Sequence, residues 1–80
     1  MLNDKEQLFD NKANYQNIAL NIAYYRKKIG LTQEQLAELA GISRQHLASI
    51  EAPNMFRGIS MDVLFNIATV LKVSPSDLLK

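Results

Sequence analysis

Residues 33–51 read QEQLAELAGISRQHLASIE, and this stretch decides the architecture. It reads as two short amphipathic helices joined at Gly41. Apolar Leu36, Leu39, Ile42, Leu47 and Ile50 recur at helical spacing. Ala37 and Ala40 are small where two helices would have to cross closely. Gly41 enters a left-handed conformation without steric cost, so the chain can turn sharply there. Just upstream, Thr32-Gln33-Glu34-Gln35 has the spacing of a capping box. The threonine hydroxyl accepts from an early backbone N–H, and Gln35 reaches back to the cap. Ser43 is placed to cap the second helix of the pair, expected over 43–51. Outward, that helix carries a row of hydrogen-bonding side chains: Ser43, Arg44, Gln45, His46 and Ser49. Arg and Gln are the residue types that each make two hydrogen bonds to one base edge in the major groove.

Working outward, the spacing predicts a first helix over 15–29. Ile18, Ile22, Tyr25 and Ile29 fall on one face, and Arg26-Lys27-Lys28 before Gly30 suits a helix C-terminus. Residues 52–59 contain Pro53 and Gly58 and read as a loop. Ser60 caps a fourth helix with Asp62 in its first turn and Leu64, Ile67, Ala68 and Leu71 on its core face. Ser74-Pro75-Ser76-Asp77 starts a short fifth helix, 75–79. No strand-like alternation, internal repeat or low-complexity run is present. The fold class is all-α with five helices. Residues 1–14, with few large apolar groups, read as a flexible N-terminal arm with a short helical turn at 4–10. Residues 15–80 form one domain.

Eighty residues with 48% hydrophobic composition allow one small domain with a modest core. There is no cysteine, hence no disulfide framework or thiolate metal site, which fits a reducing cytoplasm. His46 is the only histidine, and alone it cannot close a zinc site, which usually takes four protein ligands. No metal or cofactor is expected. The N-terminus lacks a basic region followed by an apolar run, so it does not read as a signal peptide. No apolar run approaches the ~18 residues of a membrane span. Net charge is only +1. Arg26, Lys27, Lys28, Arg44 and Arg57 outnumber Glu34, Glu38 and Glu51 over 24–57, so any nucleic-acid footprint is a local patch.

A rigid helix pair with an outward row of this kind is a helix-turn-helix, whose usual ligand is double-stranded DNA. Residues 18–79 resemble the Cro/C1-type helix-turn-helix (XRE) family, which includes phage repressors and many small bacterial regulators. The resemblance is carried by Ile22 and Arg26, by Leu31-Thr32-Gln33-Glu34-Gln35-Leu36-Ala37, by Gly41-Ile42-Ser43 and by Ile50-Glu51. Ile67-Ala68, Leu71, Val73-Ser74 and Leu78 continue it. It implies a lambda-repressor-like fold. It also implies that Gln33 binds a DNA phosphate and that Ser43, Arg44, Gln45 and Ser49 face the major groove. Arg26 and Glu51 would form a partly buried ion pair. The chain departs from many relatives at Ala52-Pro53-Asn54, where they carry a Gly-containing turn.

Beside these stand plainer readings. Arg44 and Gln45 are good helix formers that could simply be solvated. Ser43 could cap, read a base, or both. His46 is an exposed helix residue or a phosphate neighbour. Arg26 pairs with Glu51 or binds phosphate. Asn54 and Arg57 are candidate phosphate contacts, while Lys27 and Lys28 read as a solvated helix end. Val63, Phe65 and Val70 fall off the main core face of the fourth helix and suggest a partner surface, hence a homodimer. The resulting expectation is a cytoplasmic, sequence-specific transcriptional regulator, a homodimer on an inverted repeat, with no small-molecule effector. The alternative is a protein-interaction module on the same fold. An enzyme is not expected: there is no Gly-rich phosphate loop, nucleophile-histidine pair or clustered carboxylate face.

Overall fold

The structure, a computed structural model, describes residues 10–52 and 58–80. It has α1 (Lys12–Lys28), α2 (Gln33–Ala40), α3 (Arg44–Glu51), α4 (Met61–Leu71) and α5 (Pro75–Leu79), with no strand among the described residues. The expected helical turn at 4–10 lies almost wholly outside them.

Local chemistry sets most boundaries. Thr32 Oγ1 accepts from the Gln35 backbone N–H at 3.0 Å, and Gln35 Oε1 accepts from the Thr32 N–H at 2.9 Å, completing the capping box. Ser43 Oγ accepts from the His46 N–H at 3.0 Å, and Ser60 Oγ accepts from the Val63 N–H at 3.2 Å. Each satisfies one donor that a helix start otherwise leaves orphaned. Asp77 Oδ2 accepts from the Ser74 N–H at 3.0 Å, and that bond is the main reason its carboxyl titrates below its ordinary range. Gly41 ends α2 in the left-handed region at φ 77°. Lys72 does the same for α4 at φ 62°, without glycine's freedom.

α1 begins one turn earlier than position 15. Lys12, Ala13 and Asn14 are helical, Tyr15 N–H donates to the Asn11 carbonyl at 3.0 Å, and Asp10 Oδ1 accepts from Lys12 N–H. These residues carry no large apolar group, so periodicity could not reveal them. At the other end α1 stops at Lys28. Ile29, expected on the core face, has left the helix and is 46% exposed.

The core joins Ile18 and Ile22 of α1, Leu36, Ala37 and Ala40 of α2, and Leu47 and Ile50 of α3. Leu64, Ile67, Ala68 and Leu71 of α4 and Leu78 of α5 complete it. α1 packs against α5, α3 and α4, and α2 against α3 and α4. Leu47 and Ile50 therefore anchor α3 chiefly on α2 and α1. Leu39, read as an apolar-face residue, is 62% exposed instead. Two turns of helix bury one stripe, Leu36-Ala37-Ala40, and Leu39 lies off it. Val63 and Val70 are also corrected: both pack partly buried against the core, leaving Phe65 and Met61 as the exposed apolar side chains of α4.

Candidate nucleic-acid interface

The outward face of α3 is only as well defined as its seat, and an ion pair fixes that seat. Arg26 Nε donates to Glu51 Oε2 at 2.8 Å and Arg26 Nη2 to Glu51 Oε1 at 2.9 Å. Arg26 Nη1 donates to the Leu31 carbonyl at 2.8 Å. Both residues are buried. The parallel two-bond geometry is the strong form of a guanidinium–carboxylate pair. One guanidinium thus holds the end of α3 to α1 and to the turn before α2. Of its two sequence readings, Arg26 is the partner of Glu51. A third side chain joins them: Gln33 Nε2 donates to Glu51 Oε1 at 3.0 Å. Gln33, expected at a phosphate, is half-buried at the start of α2 with one amide hydrogen engaged by Glu51.

Above this seat, the first turn of α3 presents Ser43, Arg44, Gln45 and His46, all exposed. Ser43 caps the helix. Among the described residues, the side chains of Arg44, Gln45 and His46 make no hydrogen bond or ion pair. Their donors and acceptors are available to a ligand. The opposite face, Leu47, Ile50 and Glu51, is buried, so the presented row cannot roll without breaking the core.

Ser49 is a correction. Its Oγ is buried and, among the described residues, has no hydrogen-bond partner, so it is not offered to a base. Position along the helix decides this rather than phase. The first turn is fully exposed, whereas Ala48 and Ser49 are half-buried and Ile50 and Glu51 buried. Asn54 and Arg57, the remaining candidate phosphate contacts, lie outside the described residues. Lys27 and Lys28 are exposed at the end of α1, and the Lys28 ammonium sits 5.7 Å from the centre of the Tyr24 ring. Two interactions were not foreseen: Gln33 with Glu51, and Asn21, whose Nδ2 donates to the Leu78 carbonyl at 3.0 Å and ties α1 to α5. Partners so far apart along the chain leave no spacing signal. Among the described residues, no group of three or more His, Cys, Asp or Glu comes together, and no helix is long and apolar enough to cross a membrane.

Known proteins share this arrangement. A family model described as helix-turn-helix matches residues 22–78. The control protein C.SmaI of Serratia marcescens is 36% identical over 62 residues, which span 78% of this chain and 71% of that protein. The crystal structure of the restriction-modification controller protein C.AhdI from Aeromonas hydrophila superposes with a TM-score of 0.76 at 29% identity, covering 82% of this chain and 97% of that one. SinR, the master regulator for biofilm formation, solved in complex with DNA, superposes with a TM-score of 0.73 at 38% identity, covering 79% of this chain and 98% of its own.

Proposed function

The chain belongs to the Cro/C1-type helix-turn-helix family, and on that premise we propose that it is a sequence-specific DNA-binding transcriptional regulator. The observation that carries this reading is the first turn of α3. Arg44 and Gln45 are exposed side by side on a helix whose other face is locked into the core. With α3 in the major groove, Arg44 suits a guanine and Gln45 an adenine, each through two hydrogen bonds. Ser43 and His46 flank them, and Gln33 at the start of α2 meets a phosphate. Phosphates supply most of the affinity and the α3 row supplies the sequence preference. The protein acts by binding rather than by catalysis, in the cytoplasm where its DNA lies.

The regulator works as a homodimer on an inverted repeat. Met61 and Phe65 lie one turn apart on α4 and are 56% and 45% exposed, a small apolar face for a second copy to cover. Two copies of α3 then enter successive major grooves ~34–36 Å apart. The test is selection from random duplexes followed by fluorescence anisotropy. Arg44→Ala should cost ~1–3 kcal/mol and relax preference at one position per half-site, and Gln45→Ala should act at a neighbouring one. A wild-type protein that prefers no sequence, with both variants unchanged, refutes the reading and turns attention to the α4 face as a site for a different protein.

A further inference from the structure

We propose that Glu51 is a positioning residue for DNA binding: its carboxylate holds the Gln33 amide so that an N–H, not the carbonyl oxygen, is offered to a phosphate. This rests on the operator-binding reading above. It begins from the 3.0 Å bond from Gln33 Nε2 to Glu51 Oε1. A glutamine amide has two hydrogens on nitrogen and a carbonyl oxygen that only accepts. Left free, it turns either end outward. A phosphate attracts the nitrogen end and repels the oxygen end. A carboxylate only accepts, so Glu51 selects the nitrogen end on its own side. The second hydrogen on that nitrogen remains available. So does the Gln33 backbone N–H, which has no partner among the described residues because it opens α2. Ordering the side chain before DNA arrives removes a cost that binding would otherwise carry.

Arg26 supplies the other half of the device. A lone carboxylate behind Gln33 would repel the phosphate that Gln33 is meant to hold. Two hydrogen bonds from Arg26 to that carboxylate, at 2.8 and 2.9 Å, neutralise it in place. The Arg26–Glu51 pair thus orients the amide without presenting net negative charge to DNA. Glu51 touches no nucleotide in this scheme and acts only through Gln33.

The experiment is a double-mutant cycle on DNA affinity with Gln33→Ala, Glu51→Gln and the double variant, read on selected and scrambled duplexes. Urea unfolding of each protein is measured in parallel. Gln33→Ala should weaken binding about 10- to 100-fold on every duplex, the worth of one hydrogen bond to a charged group. In Glu51→Gln, the new amide turns its oxygen to Arg26 and its nitrogen to Gln33. Gln33 must then flip so that its own oxygen accepts from that nitrogen, which puts an oxygen where the second N–H had been offered to the phosphate, so affinity falls by at least as much. Once Gln33 is Ala, Glu51→Gln should lower affinity no further, although it still lowers stability. Losses that multiply across the cycle show Glu51 acting independently of Gln33 and overturn the proposal. An unchanged Gln33→Ala on a wild type that binds also overturns it, while leaving the operator reading intact. A wild type that binds no duplex fails the operator reading itself and overturns both. The wild-type protein offers a check that needs no variant. NMR should show one proton of the Gln33 side-chain NH2 displaced from the position of a free glutamine amide and slow to exchange with water, and added duplex should shift the other. A solvent-averaged Gln33 amide overturns the proposal.

Discussion

Replacing Arg26 with Met removes three hydrogen bonds and one charge while keeping much of the side chain's apolar length. Two of those bonds run to Glu51 and one to the Leu31 carbonyl. Hydrogen bonds to charged groups contribute ~1.5–3 kcal/mol each, so a plain sum would reach several kcal/mol. That sum overstates the loss, because Gln33 still donates to the stranded carboxylate and water can relax toward it. Breaking a buried pair by removing one partner costs ~3–5 kcal/mol, and this is the expected loss for Arg26→Met. A domain of this size holds ~4–12 kcal/mol in total, so the variant should lie close to unfolding at room temperature. Replacing both members with apolar residues should restore much of the stability, since neither charge is then left buried alone. Urea unfolding followed by circular dichroism supplies the four corners of the cycle, with constant m-values to confirm that only stability changed. The coupling should also be little affected by salt, because buried pairs are poorly screened. An Arg26→Met loss under ~1 kcal/mol, the scale of an exposed pair, refutes the reasoning, as does a near-additive double variant.

Gly41→Ala tests the turn of the motif: an added Cβ meets nothing within 4 Å, so the cost comes only from φ 77° and should be ~1–2 kcal/mol by thermal or urea melting. A loss near zero would mean that the turn does not require the left-handed conformation. Lys72→Gly should have the opposite sign and stabilise by up to ~1 kcal/mol, since glycine relieves the left-handed backbone that ends α4; a destabilised variant refutes that account. Asp77 predicts a pH dependence. Its folded carboxyl titrates below the ordinary value, first through the Ser74 N–H and then through Lys80, so its contribution is present in full above the unfolded pKa. It is lost as pH falls through the folded pKa. The stability advantage of wild type over Asp77→Asn should therefore shrink as pH drops below ~4, and an advantage that does not change with pH refutes it.

Sequence revealed most where the partners are close along the chain. Thr32 with Gln35, Ser43 with the His46 N–H, Ser60 with the Val63 N–H and Ser74 with Asp77 are all three residues apart, and each cap formed where its residue types predict. Helical period located Ile22, Leu36, Leu47 and Ile67 in the core because each lies within a helix whose phase is constant. The same rule failed where phase ends, at Ile29 beyond the last turn of α1, and at Leu39 in a helix too short to bury two stripes. Arg26 and Glu51 are 25 positions apart, and only likeness to a family suggested that they meet. Gln33 with Glu51 and Asn21 with Leu78 had no such prompt, because nothing local distinguishes a side chain that donates across the fold from one that is solvated. Arg44 and Gln45 are the converse case. At the first turn of α3, a polar side chain opposite the core stripe needs no tertiary partner to be identified as outward, whereas the Ser49 hydroxyl, one turn further along the same row, is buried. Arg44 and Gln45 were therefore legible as outward before the structure, whereas the network that holds Gln33 in place required it. That difference follows from the division of labour in the fold. The open face of α3 is what folding leaves unpaired, and its positioning depends on pairs that folding brings together from distant parts of the chain.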